Sequence, residues 1–360
     1  MTKVLLVLAS STGGTGRHVA ALARELVGLG FPVTVAGPAA TGAAFGLGDL
    51  GARFVAVEIG SGARPLRDAR SVRALRRLAA GSDVVHAHGL RAGLLAGLAT
   101  PRRVPYVVTW HNAVLVTGLR RVVTGMLAGY VARRGGVALC VSRDLVDAVR
   151  AYGGADVRLA PVAAPTLAAP SRPVAEVRAE LGAEQQPLVL TVARLHPQKG
   201  LPLLIEAAAR LSTRDTPPLV VVAGDGPQRA ELGALIDRLA APVRLLGARD
   251  DIPDLLAAAD VVVQTSIWEG SPLAAQEALQ AGRPLVATDV GGTGDIVGDG
   301  AVLIRPFAEA LVDAVAALLD DPAERAALGG RALAAARALP GEADVAGLVV
   351  ATYEQLLGDG

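Results

Sequence analysis

Cysteine occurs once in these 360 residues, at Cys140. A single thiol excludes a disulfide framework and fits a reducing cytoplasm. Set in the apolar run Val137-Ala-Leu-Cys-Val141, it reads as a buried structural thiol rather than a nucleophile. Aromatic residues make up only 3% of the chain, too few for base-stacking platforms, and a net charge of +1 leaves no electrostatic footprint for nucleic acid. No uncharged apolar run approaches the roughly 20 residues of a membrane-spanning helix. The opening run, Lys3 to Ala9, is too short for a signal-peptide core and reads as a first strand. A soluble, cytoplasmic protein is expected. Lysine is almost missing too: the 35 basic residues include only Lys3 and Lys199. That bias fits a GC-rich genome in which arginine replaces lysine wherever it serves as well. Lys199 is thus a candidate for a site that wants a compact ammonium, although one lysine also survives by chance.

What the chain does have is alternation, over a length that suits two domains. Strand patterns at Val4–Ala9, Val33–Ala36, Phe54–Ile59, Asp83–His86, Tyr106–Trp110, Val137–Val141 and Val157–Leu159 are separated by helical patterns near Arg17–Leu29, Leu66–Ala79, Leu90–Ala99, Leu119–Arg133 and Arg143–Tyr152. Four prolines between Arg158 and Arg178 break the rhythm and read as a linker. The alternation restarts at Pro187, with strands at Leu188–Ala193, Leu219–Ala223, Val243–Leu246, Val261–Thr265, Pro284–Ala287 and Ala301–Ile304, and two further helices close the chain. The expected fold class is α/β: two doubly wound, Rossmann-like domains with a cleft between them. The expected boundaries are residues 1–165, a linker at 166–178, a second domain at 179–340, and a last helix at 341–360.

The stretch from Glu269 to Glu277 carries the most chemistry. Ser271-Pro272 reads as a helix start, a hydroxyl N-cap followed by Pro at the first position. Glu277 then sits five residues inside the helix and Glu269 in the loop before it. Between two carboxylates lie the unpaired amides of a helix N-terminus, which favour an anion. Such a layout suits a nucleotide sugar, and two solvated glutamates beside an ordinary cap would look the same.

Three further motifs follow strands. Arg194-Leu-His-Pro-Gln-Lys199-Gly200 places two cations where a diphosphate could bind, a planar fork and a point charge; unpaired surface cations are the plain alternative. Gly224-Asp-Gly-Pro227 reads as a tight turn allowing close backbone approach, with Asp225 capping it. Gly13-Gly14-Thr15-Gly16 opens a helix, and its amides either approach a phosphate or merely make the turn. It is not a dinucleotide fingerprint: the third glycine position holds Val19, and the second strand ends Val35-Ala-Gly37 with no acid for a ribose. His86-x-His88 hints at metal, but no Cys or carboxylate cluster and no Asp-x-Asp accompanies it, so no metal is expected. His86 and His88 read as structural or cleft-lining, and His111, in Thr109-Trp-His-Asn112, as the better functional candidate. The arginines of Arg67–Arg77 recur at helical spacing and read as a solvated face, with contact to anionic lipid or an acidic acceptor as the secondary reading.

Taken together, the Arg-x4-Lys, the Gly-Asp-Gly-Pro turn, the Glu-x7-Glu and Asp289-Val-Gly-Gly292 resemble the retaining glycosyltransferases of family 4, which have the GT-B fold. The resemblance implies that Glu277 binds ribose hydroxyls, Glu269 the donor sugar, and Arg194 and Lys199 the diphosphate. It implies amide contacts near Leu273, Ser271, Gly14, Thr15 and Gly224, base recognition by backbone at Gly247 to Arg249, and His111 beside the donor sugar. It further implies a metal-free, cofactor-free reaction with retained configuration, a nucleoside-diphosphate donor, a hydroxyl acceptor, and a last helix crossing back to the first domain. Location in the cytoplasm, at most peripheral on the inner membrane face, fits. Two motifs depart from the family: Gly291-Gly-Thr-Gly-Asp295 has an acid one methylene shorter than the usual glutamate, and Pro161-Val-Ala-Ala-Pro165 replaces the usual Pro-Asn-Gly-Val-Asp. Two other readings stay open: a nucleotide-sugar 2-epimerase of the same fold, and a non-catalytic sugar-nucleotide binder.

Overall fold

A computed structural model describes residues 1–114 and 118–358; the last two residues of the expected C-terminal segment lie outside that range. The chain divides into two units, Met1–Ala163 with Pro340–Gly360, and Ala164–Leu339.

The first unit holds seven parallel strands: β1 (Val4–Leu8), β2 (Val33–Gly37), β3 (Arg53–Ala56), β4 (Val84–His88), β5 (Tyr106–Trp110), β6 (Val137–Cys140) and β7 (Val157–Leu159), in the order β3-β2-β1-β4-β5-β6-β7. Every residue of β1, β4, β5 and β6 is buried, as expected of parallel strands covered by helices on both faces. Each fully buried Val or Leu there stabilises the fold by about 1.5–3 kcal/mol. The order reverses between β1 and β4, the position where doubly wound sheets bind ligands. Helix Glu342–Gly358 belongs to this unit and packs on helix Gly14–Gly28, burying Val345, Ala346, Val349 and Tyr353.

The second unit has six parallel strands: β8 (Leu188–Val192), β9 (Leu219–Ala223), β10 (Val243–Gly247), β11 (Val261–Gln264), β12 (Leu285–Thr288) and β13 (Ala301–Ile304), ordered β10-β9-β8-β11-β12-β13. Its reversal falls between β8 and β11.

The proline-rich stretch differs from the expected linker. Helix Val174–Leu181 starts inside it and sinks Val177 and Leu181 into the second core. Upstream of that helix, Ala164 N donates to Gln276 Oε1 (2.8 Å), Leu167 N to Gln280 Oε1 (2.7 Å) and Ser171 N to Asp254 Oδ1 (2.6 Å). Side chains of the second unit therefore satisfy its backbone, which proline content alone cannot reveal. Short helices at Ala39–Ala44 and Thr293–Val297 were also not foreseen.

Candidate functional site

At the reversal of the second sheet, the loops that follow β8 and β11 meet. Lys199 ends a 3-10 turn, Pro197–Lys199, after β8, and Glu269 lies in the loop after β11. Lys199 Nζ stands 2.5 Å from Glu269 Oε1, and Ser266 Oγ donates to the same oxygen at 2.5 Å. Glu269 is only 8% exposed at its side chain and Lys199 22%, so the pair is shielded enough for charge to count.

The two loops are tied by backbone and side chain alike. Thr265 Oγ1 donates to Lys199 O (3.0 Å), Ile267 N to Gln198 O (2.8 Å) and Gln198 Nε2 to Trp268 O (3.0 Å); from the loop after β12, Gly292 N donates to Glu269 O (2.8 Å). Glycines permit this closeness. Gly200 has φ +59°, and a Cβ there would sit 2.1 Å from Thr265 O; Gly291 has φ +53°, and a Cβ would sit 2.1 Å from Glu269 O. Gly200→Ala should therefore lower stability by at least about 1–2 kcal/mol from backbone handedness alone, with the midpoint of a denaturant titration as the readout. The displaced backbone carries Lys199, so donor affinity should fall with it.

Arg194, exposed, is the second residue past the end of β8, and its cation and that of Lys199 both lie close to His196. Burial first, then these two charges, hold the His196 imidazole below its usual pKa. The structure thus groups Arg194, His196, Lys199, Ser266 and Glu269. His196 and Ser266 escaped sequence reasoning because neither residue type signals a site by itself.

Helix Leu273–Gln280 begins two residues after Ser271, with Pro272 as its N-cap and no side-chain cap. The Ser271 hydroxyl instead accepts from Gln276 Nε2 at 3.1 Å, which corrects the expected hydroxyl cap. Pro272 takes extended backbone angles (φ −70°, ψ 107°), so it precedes the helix rather than opening it. Glu277 is the fifth residue of the helix and half-buried.

Gly224 follows β9 with φ +148°, and a Cβ there would meet Ala193 O at 1.9 Å, so the turn hugs the start of the Arg194 loop. Asp225 Oδ1 accepts from Gly226 N (2.7 Å), a turn contact. Arg249 is an ion-pair hub: its guanidinium binds Asp251 (2.6 Å) and Glu180 (3.0 Å); it holds the Asp251 carboxyl below its usual pKa, and Arg172 first, then Arg249, hold that of Glu180 down. Only its backbone remains for the base-reading role the resemblance implied.

In the first unit, Gly14 and Thr15 open helix Gly14–Gly28, and the Ser11 hydroxyl accepts from Gly16 N at 3.1 Å. Gly16 serves packing, since a Cβ there would strike the Phe45 ring. The same helix brings in His18. Its ring lies 5.4 Å from that of His88 at the end of β4 and 5.2 Å from that of His111 after β5. His88 Nδ1 and His111 Nε2 are 3.2 Å apart, and His86 bonds Tyr353 Oη (2.7 Å) and Thr109 Oγ1 (2.6 Å). One nitrogen from each of His18, His88 and His111 falls within 4.8 Å of the others, a spacing that could accommodate a metal ion. The expectation of no metal rests on His86 with His88; nothing in the sequence pattern places His18 beside them.

Burial keeps these rings neutral. It lowers His18 to about 4 and, helped by the His18 charge, His86 to about 3; His88 and His111 are pushed well down by the same desolvation and by their neighbours. In the unfolded chain each titrates near 6.5, so the unfolded state binds more protons below that pH. Their contribution is complete above about pH 6.5 and is lost as pH falls toward 4, with His18 alone worth on the order of 3 kcal/mol. A scan of melting temperature should be flat at neutral pH and fall steeply from 6.5 to 4, and His18→Gln should soften the fall. Cys140, pushed up to about 12 by burial, stays a thiol.

Comparison with known proteins follows the same division. Residues 13–165 match the model of the glycosyl transferase 4-like domain and residues 174–334 that of the glycosyl transferases group 1. The chain is 31% identical over 313 residues to a 2-deoxystreptamine glucosyltransferase of Streptomyces kanamyceticus, covering 80% of each protein. It is 37% identical over 155 residues to an alpha-D-kanosaminyltransferase of the same organism, an alignment covering 41% of this chain and 40% of that one. Among solved structures, Anabaena HepE in complex with UDP superposes with a TM-score of 0.83 at 22% identity, over 98% of this chain and all of that one.

Proposed function

The chain belongs to the family 4 glycosyltransferases of GT-B fold, and from that footing we propose that it moves a hexose-type sugar from a nucleoside-diphosphate donor to an acceptor hydroxyl, with retention and without a metal. The observation that carries this reading is the Lys199–Glu269 pair at the reversal of the second sheet, ahead of the start of helix Leu273–Gln280. An ammonium, the Arg194 guanidinium and helix amides suit the charge that grows on a departing diphosphate. Glu269, gripped by Lys199 and Ser266, is held in place to accept hydrogen bonds from sugar hydroxyls. Glu277 takes the ribose diol. His111, kept neutral by burial, can give or take a hydrogen bond with a sugar hydroxyl without adding charge.

A thermal-shift screen of nucleotide sugars tests the donor. A true donor at 100 times its dissociation constant should stabilise the fold by about 2.7 kcal/mol. Cyclitol hydroxyls come first in the acceptor screen, because the relative aligned over 80% of both chains is named for 2-deoxystreptamine. Diphosphate release that depends on acceptor, an unchanged anomeric configuration by NMR, and full turnover after chelation would support the proposal. Epimerised donor without acceptor would identify an epimerase, and binding with no turnover a sensor.

A further inference from the structure

Three histidines close on one another at the reversal of the first sheet. His18 is the fifth residue of helix Gly14–Gly28, His88 the last residue of β4, and His111 the first after β5. All three are buried, at 6%, 2% and 7% exposure. A buried imidazole ordinarily commits both ring nitrogens to hydrogen bonds. His86 does so, with Tyr353 Oη and Thr109 Oγ1. His88 does not: its Nδ1 meets His111 Nε2, while its Nε2 has no partner among the described residues.

The spacing of the ring nitrogens is that of metal ligands. Two nitrogens held about 2.0–2.1 Å from a tetrahedral zinc ion stand about 3.3–3.4 Å apart; His88 Nδ1 and His111 Nε2 are 3.2 Å apart. One nitrogen from each of the three rings, His18 included, falls within 4.8 Å of the others, a gap that a small rotation of the His18 side chain narrows. Burial keeps the rings neutral, the state in which imidazole binds metal. The proton between His88 and His111 can move to the far nitrogen of its own ring, which turns both lone pairs inward and changes no charge. The group offers imidazole alone, a donor set that suits zinc-like ions rather than magnesium or calcium, which want oxygen. Three protein ligands leave a fourth position for water or a hydroxyl oxygen.

We propose that His18, His88 and His111 form a site for one divalent transition-metal ion of the zinc type, and that the bound ion inhibits sugar transfer. The ion takes no part in the reaction, which runs without it. Its effect is electrostatic: breaking a glycosidic bond builds positive charge on the sugar ring in an oxocarbenium-like transition state, and a dication on His111 opposes that charge. Coordination also fixes the His111 ring, which then adapts less well to a sugar hydroxyl. The metal site rests on the geometry of the first unit alone; the inhibition rests on the reading that places His111 beside the donor sugar.

Titration of the full chain with Zn²⁺ against a chromophoric chelator tests the site. One equivalent should bind, and Co²⁺ in its place should give the visible absorption of a four-coordinate ion. X-ray absorption of the zinc-loaded, unaltered protein should show three imidazole nitrogens at about 2.0–2.1 Å. His18→Gln and His88→Gln should each raise the Zn²⁺ dissociation constant by more than about 10²-fold, since even the outer partners of metal ligands are worth about 10–100-fold. His196→Gln, which alters the one histidine of the second unit, should leave it unchanged. No binding at micromolar Zn²⁺, binding that survives both His18→Gln and His88→Gln, or fewer than three imidazoles in the absorption spectrum overturns the proposal. In transfer assays Zn²⁺ should inhibit the unaltered enzyme, a chelator should restore it, and His18→Gln should escape inhibition. Transfer undiminished with the site filled would overturn the inhibition and, with it, the place of His111 at the sugar, while the three-histidine site stands.

Discussion

Lys199→Ala is expected to slow sugar transfer by about 10²–10³-fold, the usual consequence of removing one preorganised donor to developing negative charge, some 3–4 kcal/mol of barrier. The structure adds a reason for the upper end. Lys199 Nζ lies 2.5 Å from Glu269 Oε1, and Glu269 is 8% exposed at its side chain. Removing the ammonium strips the leaving group of a cation and leaves a shielded carboxylate supported, among the described residues, by the Ser266 hydroxyl. Lys199→Arg should recover little, because a planar fork does not replace a point charge in a partly buried contact. Single-turnover rates with saturating donor separate this chemical defect from weaker binding. Rates within fivefold of the unaltered enzyme, in a folded Lys199→Ala protein, would remove Lys199 from the mechanism.

Glu277→Ala should act on donor affinity. A carboxylate accepting hydrogen bonds from a ribose diol gains about 1.5–3 kcal/mol per bond to the charged group, so the donor dissociation constant should rise by roughly 10²-fold or more. Glu277 projects from the fifth position of helix Leu273–Gln280. The discriminating control is a donor lacking both ribose hydroxyls. Unaltered protein and Glu277→Ala should bind that analogue alike, closing a double-mutant cycle on the diol. A variant that loses affinity equally for both donors would show a structural effect, and one that loses none would move the ribose elsewhere.

Much of this architecture was legible in the sequence, for a physical reason. Buried parallel strands read as short apolar runs, and the thirteen expected strands match the observed ones to within a few residues at either end. The Lys199–Glu269 encounter was half legible: each residue stood out by type and by its place after a strand, while their pairing required β8 beside β11. Ser271 misled because a hydroxyl before proline is a common helix start, yet here Gln276 takes the hydroxyl. His18 was invisible because its partners lie about seventy and ninety residues further along, and only the β1-β4-β5 order unites them. Helix Gly118–Arg134 shows the opposite limit: Leu119, Val122, Val123, Met126 and Leu127 recur at helical spacing, and periodicity does not reveal that solvent rather than core receives them.

The most direct measurement is a crystal structure with a nucleoside-diphosphate sugar bound. The account predicts Lys199 Nζ and the Arg194 guanidinium within about 3 Å of diphosphate oxygens, the amides at Leu273 facing the same group, Glu277 on the ribose diol and Glu269 on the sugar. A donor whose phosphates touch neither cation, or whose ribose lies away from Glu277, would contradict it.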